Sequence, residues 1–288
     1  MNKLITDDFV FVGNRRFVLE IMLAKNIKPI ITLVAAGTRL EKEIDSMGIP
    51  YTVFRTKEEL LQILAEVKFD VLISNGCPYI LPISEMKTAK YVNIHPSFLP
   101  DLKGIDPAIG AILFERDAGA TCHIMDNTID GGDIISQVKI PYSVDLDVLL
   151  CYYLGFEAEK EVFLEALDRR FIPTHKQILT GDEIYYSRSI EDRRIHKGLK
   201  VNEIIQRCKA FSNRSQGALI EIEGKEYKLH GAKVIKNSYA KYVTRNKKCG
   251  HVLFQYEANL IFRHKGELIK VASVTENFST IKVGAKIF

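Results

Sequence analysis

The chain has 288 residues, of which 47% are hydrophobic and 26% are charged. This ordinary globular composition excludes a disordered, collagen-like or fibrous chain, and the length suits one large or two medium domains. No apolar stretch approaches the roughly 20 residues of a membrane helix. The stretch Met1–Asp8 also lacks the basic and apolar regions of a signal peptide. We therefore expect a soluble protein without a membrane partner.

The cysteines point to a reducing compartment. Five are scattered along the chain, at positions 77, 122, 151, 208 and 249, without a Cys-x-x-Cys pair. An odd number at such wide spacing favours neither a disulfide framework nor a zinc site. We expect a cytoplasmic protein that needs no metal.

Charge is distributed unevenly. Residues 189–288 hold 20 Lys and Arg against 9 Asp and Glu, whereas residues 1–188 hold 20 against 27. The basic last third is typical either of a lysine-rich solvated surface or of a module that binds nucleic acid or a nucleotide phosphate. Charge alone leaves both interpretations open.

Strands and helices alternate through the first part of the chain. In order, the predicted elements are a strand at 9–12, a helix within 13–26, a strand at 30–34, a helix at 39–47, a strand at 51–54, a helix at 57–67 and strands at 71–74 and 91–94. This alternation predicts an α/β fold with a doubly wound, mostly parallel, Rossmann-like sheet. Ligands of such sheets bind at the carboxyl ends of the strands.

The remaining elements suggest a second, smaller domain. They are a helix at 106–116, strands at 120–125 and 134–140, a helix at 146–169, a connection at 170–189, a helix at 201–211 and short strands at 218–222, 227–229, 252–256, 260–262, 268–271 and 280–283. Many short strands with turn signals favour a small barrel or sandwich. We therefore predict an α/β domain at 1–172, a linker at 173–195 and a basic, β-rich, barrel-like domain at 196–288.

Two segments carry side chains suited to chemistry. Asn93 and His95 lie on one face of a strand that Pro96 ends, because side chains alternate along a strand. A loop between the next two strands holds three aspartates and two glycines at 126–133, although these are also the residues that ordinary turns use. A lone histidine is more often a satisfied core residue, so the carboxamide beside it is the informative feature.

These segments together resemble the folate-dependent formyltransferases. The resemblance covers roughly residues 9–170 and rests on Asn-Ile-His-Pro-Ser at 93–97, on Gly104 and on Asp-Gly-Gly at 130–132. The family includes glycinamide ribonucleotide, methionyl-tRNA and sugar N-formyltransferases, and the chain is most similar to the sugar enzymes. The resemblance implies that Asn93, His95 and Asp130 are the catalytic residues of a formyl-transferring enzyme.

The chemistry of formyl transfer needs these residue types. Transfer from a folate nitrogen to an amine passes through a tetrahedral intermediate, whose oxyanion needs donors such as Asn93 and a protonated His95. A carboxylate can carry the proton from the attacking amine, and we expect Asp130 to raise the pKa of His95. The other carboxylates, Asp126 and Asp133, do not match the family's Asp-x-Gly.

Two other nucleophile arrangements are disfavoured. Ser97 lacks the Gly-x-Ser-x-Gly turn, and direct transfer between amines needs no acyl-enzyme. Cys122 and His123 are neighbours on a strand and so point to opposite faces, which predicts core or edge residues rather than a dyad.

The resemblance also implies binding residues. The segment after the strand at 71–74 is similar to the family's folate-contacting segment, although an ordinary helix start is the alternative. The expected contacts of 10-formyltetrahydrofolate are Tyr79, Ile80, Leu81, Asp126 and Ile129. The expected contacts of the acceptor are Ser97, Lys103 and Pro107.

The acceptor that we favour is the amine of a nucleotide-linked amino sugar, in cell-surface polysaccharide biosynthesis. Methionyl-tRNA formyltransferases typically have Arg-Gly-Ala-Ala-Pro where this chain has Lys-Gly-Ile-Asp-Pro at 103–107, and a basic insertion where the turn at 35–39 is short. Initiator tRNA remains the alternative because of the basic last third. A non-catalytic folate-binding or nucleic-acid-binding protein is a second alternative. A homodimer is left open.

Overall fold

The computed structural model describes residues 7–288 and divides into two compact units. The first unit contains Met1–Pro107, Asp117–Pro141 and Tyr153–Tyr186, and the second contains Ala108–Arg116, Tyr142–Tyr152 and Ser187–Phe288. Residues 1–6, on which most of the signal-peptide argument rests, lie outside the described part of the chain. The domain boundaries at 172 and 195 stay a prediction.

The first unit is built on a seven-stranded sheet, counted over residues 7–288. Its strands are β1 (Phe9–Gly13), β2 (Ile31–Ala35), β3 (Thr52–Phe54), β4 (Val71–Asn75), β5 (Lys90–His95), β6 (Ala118–Ile124) and β7 (Ile134–Ile140). The spatial order is β3-β2-β1-β4-β5-β6-β7. Strands β1 to β5 run parallel, whereas β6 and β7 pair antiparallel. The predicted doubly wound, mostly parallel sheet is confirmed.

The sheet is covered on both faces. Along β1, Phe9 and Phe11 enter one hydrophobic cluster, and Val10 and Val12 enter another. This alternation explains why the strand is apolar at every position, as is usual for parallel sheets. The order of the strands reverses between β1 and β4, and such a reversal opens a crevice at the carboxyl edge.

The helices of this part of the chain follow the predicted segments with shorter bounds. They are α1 (Phe17–Ala24), α2 (Arg39–Glu43), α3 (Lys57–Glu66), α4 (Pro107–Leu113) and α5 (Val148–Asp168). The side chains of Thr38 and Thr56 cap α2 and α3 by accepting the Glu41 and Glu59 backbone N–H groups, which fixes where these helices begin.

The second unit is rich in β-structure. Its strands are β8 (Arg194–Ile195), β9 (Ala218–Ile222), β10 (Lys225–Leu229), β11 (Gly231–Val234), β12 (Val252–Tyr256), β13 (Asn259–His264) and β14 (Glu267–Ala272). Within the described chain they form the sheets β10-β9-β8 and β11-β14-β13-β12. Helices α6 (Val201–Ala210) and α7 (Ser238–Val243) complete the set. The prediction of a β-rich C-terminal part is confirmed.

One predicted strand is wrong. Residues 280–283 form turns, in which Ile281 N–H donates to the Phe278 carbonyl and Ala285 N–H donates to the Lys282 carbonyl. Gly284 has a φ of 92°, which breaks extended structure there. Sequence reasoning also missed β8, β11 and α7, which are short or polar. None of the helices in residues 7–288 is long and apolar enough to cross a membrane.

Candidate active site

A cleft of about 470 Å³ opens in the first unit at the carboxyl ends of β1, β4 and β5. Its wall combines polar side chains that converge at one end with apolar side chains along its length, as is usual for small-molecule sites. Asn93, His95, His123 and Asp130 form the polar end. We call these four residues the polar cluster.

The register of β5 against β6 assembles most of this cluster. Asn93 pairs with His123, and His95 pairs with Thr121. Because side chains alternate along each strand, Asn93, His95 and His123 project from the same face of the sheet. Both histidines are buried.

Asp130 joins the cluster from the loop between β6 and β7. Its Oδ1 accepts a hydrogen bond from Asn93 Nδ2 at 3.3 Å, and its Oδ2 lies 3.4 Å from His95 Nδ1. The predicted trio is therefore brought together in space. The backbone of Asp130 has a φ of 49°, and the Gln177 amide holds this loop by donating to the Asp130 and Gly132 carbonyls at 2.8 and 2.9 Å.

The Asp130 carboxyl is held in its ionised form. Burial by itself raises its pKa, but the hydrogen bond with His123, the nearby His95 and the Gly104 backbone N–H together outweigh burial and lower the pKa to about 2. Only 14% of this side chain is exposed. At neutral pH the cleft therefore contains a carboxylate that can accept a proton.

His95 differs from the expectation that Asp130 would raise its pKa. The pKa of His95 is lowered, because burial disfavours the charged ring more than Asp130 and the Leu102 carbonyl favour it. Nε2 lies 3.2 Å from the Leu102 carbonyl oxygen, which can only accept, so Nε2 carries the proton of the neutral ring. Nδ1 then presents a lone pair toward Asp130, and this arrangement leaves room for one shared proton between them.

His123 belongs to the polar cluster, although sequence reasoning did not single it out as a site residue. Its Nδ1 donates to the Ile124 carbonyl at 2.8 Å, and its Nε2 faces Asn93 and Asp130. Nε2 lies 3.2 Å from Asn93 Nδ2 and 3.6 Å from Asp130 Oδ1. The Asn93 amide nitrogen points toward Asp130, to which it donates at 3.3 Å. The strand neighbour of His123, Cys122, is in the core, as the alternation predicted.

The residues expected to contact folate all line the cleft. Tyr79, Ile80 and Leu81 follow β4, and Asp126 and Ile129 belong to the loop after β6. The Tyr79 hydroxyl donates to the Arg55 carbonyl at 2.7 Å, which fixes the ring. The side chain of Asp126 accepts from the Thr128 backbone N–H at 2.8 Å and so stabilises its own loop.

The three residues expected to contact the acceptor do not line the cleft. Ser97 is buried and donates to the Asp101 carbonyl at 2.8 Å. Pro107 is buried, and Lys103 is half-buried. Within the described chain the cleft wall includes Gly104 and Ile105 but none of these three, so their contact with an acceptor stays a prediction.

A buried ion pair supports the cleft from behind. Glu159 on α5 has a fully buried side chain that pairs with Arg15 and accepts from Asn75 Nδ2 at 3.0 Å. Arg15 itself lines the cleft, and its charge contributes to the lowered pKa of His95. Over residues 7–288, no group of three or more His, Cys, Asp or Glu residues is arranged to hold a metal ion.

A family model described as formyl transferase matches residues 41–167, a range that includes all four residues of the polar cluster. Over these residues the chain is similar to the formyl transferase family.

The curated relatives are methionyl-tRNA formyltransferases. One from Geobacillus sp. (strain WCH70) is 37% identical over 105 residues, which are 34% of this chain and 33% of that protein. Another from Carboxydothermus hydrogenoformans is 27% identical over 227 residues, which are 75% of this chain and 70% of that protein. The chain spans about a third of the length of the curated relatives that it matches at 37% identity.

The similar solved structures include sugar enzymes. An N-formyltransferase from Helicobacter canadensis, in complex with folinic acid and dTDP-3-aminofucose, has a TM-score of 0.70 and 19% identity, covering 92% of this chain and 98% of that one. WlaRD, a sugar 3N-formyl transferase, has a TM-score of 0.69 and 18% identity, with coverages of 93% and 98%. At these identities the likeness shows the fold alone.

Proposed function

We propose that this protein is an N-formyltransferase that moves the formyl group of 10-formyltetrahydrofolate directly to the amine of a nucleotide-linked amino sugar. The observation that carries the proposal is the convergence of Asn93, His95 and Asp130 at the polar end of one cleft. A domain that only bound folate or nucleic acid would not need an ionised carboxylate beside a buried histidine. That arrangement suits proton transfer.

The polar cluster supplies a path for the proton of the acceptor amine. The neutral amine nitrogen attacks the formyl carbon, and the positively charged nitrogen of the resulting intermediate then gives one proton to the Asp130 carboxylate. Because Asp130 Oδ2 and His95 Nδ1 are 3.4 Å apart and both are acceptors at neutral pH, the pair can share that proton. The bond to the folate nitrogen then breaks, and the pair returns the proton to that leaving nitrogen.

The oxyanion of the tetrahedral intermediate is the second demand of the reaction. Asn93 Nδ2 carries two hydrogens, one of which Asp130 Oδ1 accepts in this structure. Once Asp130 and His95 share a proton, the hydrogen bond from Asn93 to the Asp130 carboxyl becomes weaker. That hydrogen then becomes available to stabilise the negative charge of the oxyanion.

The apolar end of the cleft supports folate as the formyl donor. Tyr79, Leu81, Met125 and Ile129 offer apolar surface, and the loop after β6 offers backbone groups for the polar edge of a pterin. We assign 10-formyltetrahydrofolate as a co-substrate that binds without a metal. The Helicobacter canadensis and WlaRD structures were obtained with related folates, which supports this assignment.

Two features favour a sugar acceptor over tRNA. The turn between β2 and α2 holds only residues 36–38, so it offers no insertion that could enter an acceptor stem. The sugar enzymes also align over nearly their whole length.

The second candidate is formylation of methionyl-tRNA, which the curated relatives and the basic residues 189–288 favour. We further propose that the reaction takes place in the cytoplasm and serves cell-surface polysaccharide biosynthesis, and a homodimer is compatible with it.

A substrate screen tests the proposal. Purified protein is incubated with 10-formyltetrahydrofolate and a set of nucleotide-linked amino sugars that includes dTDP-3-aminofucose, and products are analysed by mass spectrometry for an added formyl group. Charged initiator tRNA is assayed in parallel at two salt concentrations. Formylation of a sugar, reduced ~10²-fold in Asn93→Ala and His95→Ala, supports the proposal. Efficient, salt-sensitive formylation of tRNA without sugar turnover would favour the second candidate.

A further inference from the structure

The stretch after α5, which the sequence suggested to be a connection, returns to the cleft. Thr174 N–H donates to the Ile134 carbonyl at 2.7 Å, Ile184 N–H donates to Asp101 Oδ1 at 2.8 Å, and Tyr186 N–H donates to the Lys103 carbonyl at 2.8 Å. Tyr185 forms a parallel bridge with Lys103. This stretch is therefore fixed at both ends and presents Tyr185 to the cleft.

The ring of Tyr185 packs on Gly104. A Cβ atom at Gly104 would lie 3.3 Å from Tyr185 Cζ and 2.5 Å from the Tyr186 carbonyl oxygen, and the φ of Gly104 is +108°. Glycine is thus the residue that permits this close approach. The Gly104 backbone N–H donates to the Asp130 carboxylate. One residue therefore separates an aromatic ring from the carboxylate that would take the proton of the acceptor.

The other side of the ring is open. Tyr185 is 60% exposed, and Ile105, which lines the same cleft, is 76% exposed. Two large apolar side chains exposed on the wall of one cleft, beside a polar cluster, form the kind of surface that marks a ligand-binding site. Neither residue belongs to the segments at 79–81 and 126–129 that we assign to folate.

We propose that Tyr185 and Ile105 form the binding platform for the sugar ring of the acceptor. This inference rests on the proposed function and identifies residues that determine acceptor affinity. The amine of an amino sugar is bonded directly to a ring carbon, so an amine at Asp130 brings the ring beside Gly104. An aromatic face and an aliphatic branch offer the apolar surface on which the C–H face of such a ring can pack.

Kinetics with each substrate varied in turn test the platform. The acceptor is dTDP-3-aminofucose, and the variants are Tyr185→Ala, Tyr185→Phe and Ile105→Ser, with Tyr153→Ala as the matched control because Tyr153 is also an exposed tyrosine of the first unit. We expect Tyr185→Ala to raise the KM for the sugar about tenfold and to leave the KM for 10-formyltetrahydrofolate within about twofold. Tyr185→Phe keeps the ring and should retain the wild-type KM.

The outcomes separate this inference from the proposed function. If the wild type formylates the sugar but Tyr185→Ala and Ile105→Ser leave its KM unchanged, the platform is wrong and the proposed function stands. A rise in the folate KM instead would assign the ring to the other substrate and also overturn the platform. A wild-type enzyme that formylates no amino sugar contradicts both. Ile105→Ser decides the matter if Tyr185→Ala fails to fold, because Ile105 is exposed in a loop.

Discussion

Replacement of His123 by leucine tests how the cleft keeps Asp130 ionised. The contacts of Asp130 lower its pKa from an ordinary 3.8 to about 2 in spite of burial, a difference of roughly 2 kcal/mol in favour of the carboxylate. The hydrogen bond with His123 is the largest of the effects that lower this pKa. Because His95 has a lowered pKa itself, it cannot replace the lost partner at neutral pH.

The pKa of Asp130 should rise in His123→Leu, and the sign follows from its present low value. In the wild type the folded-state pKa lies below the unfolded value, so ionisation of Asp130 stabilises the fold above about pH 4, and this stabilisation is lost as the pH falls through about 2. In His123→Leu, fewer contacts oppose the rise in the Asp130 pKa that burial causes. We expect the pKa of Asp130 to rise by at least about one unit, which corresponds to roughly 1.4 kcal/mol.

Carbon NMR of the carboxyl groups measures this pKa directly. Spectra of the wild type and of His123→Leu are recorded across a pH titration, and Asp130→Asn assigns the resonance. His196→Leu is the control, because His196 is an exposed histidine of the second unit. If the Asp130 pKa stayed near 2 in His123→Leu, or rose equally in His196→Leu, our account of the polar cluster would be refuted.

Three further predictions follow from the same structure. Glu159→Ala should lower the free energy of unfolding in urea by about 3 kcal/mol, because it leaves Arg15 without its fully buried partner. Gly132→Ala should lower it by roughly 1–3 kcal/mol, because a Cβ there would overlap the Ile124 carbonyl oxygen and shift the backbone; an unchanged urea midpoint would contradict this. A chelator should leave formyl transfer unchanged, and zinc-dependent recovery after chelation would refute the metal-free assignment.

The alternation of strands and helices predicted the sheet, and the resemblance to formyltransferase motifs predicted the convergence of Asn93, His95 and Asp130. The first two share a strand face, and the third stands in a loop whose motif is specific. The role of His123 could not be predicted, because it depends on the register of β6 against β5. We expected a raised pKa for His95, whereas burial lowers it. The sequence does not show how deeply this ring is buried.

The contribution of the stretch 174–186 was also beyond sequence reasoning. Its polar composition, with Pro173 and Gly181, is typical of a connection. Its position beside the cleft depends on contacts with residues far away in the chain, such as those of Gln177 with the Asp130 carbonyl and of Tyr186 with the Lys103 carbonyl. Nothing in the local pattern indicates these partners.

The rate of formyl transfer in Asp130→Asn, compared with the wild type, tests the central claim most directly. Both proteins are assayed with 10-formyltetrahydrofolate and dTDP-3-aminofucose, and folate binding is measured separately by calorimetry. We predict that kcat falls ~10²-fold or more while the Kd of the folate changes little, because asparagine keeps the shape of Asp130 but cannot accept the proton. Near-normal turnover in Asp130→Asn would contradict the assignment of this carboxylate.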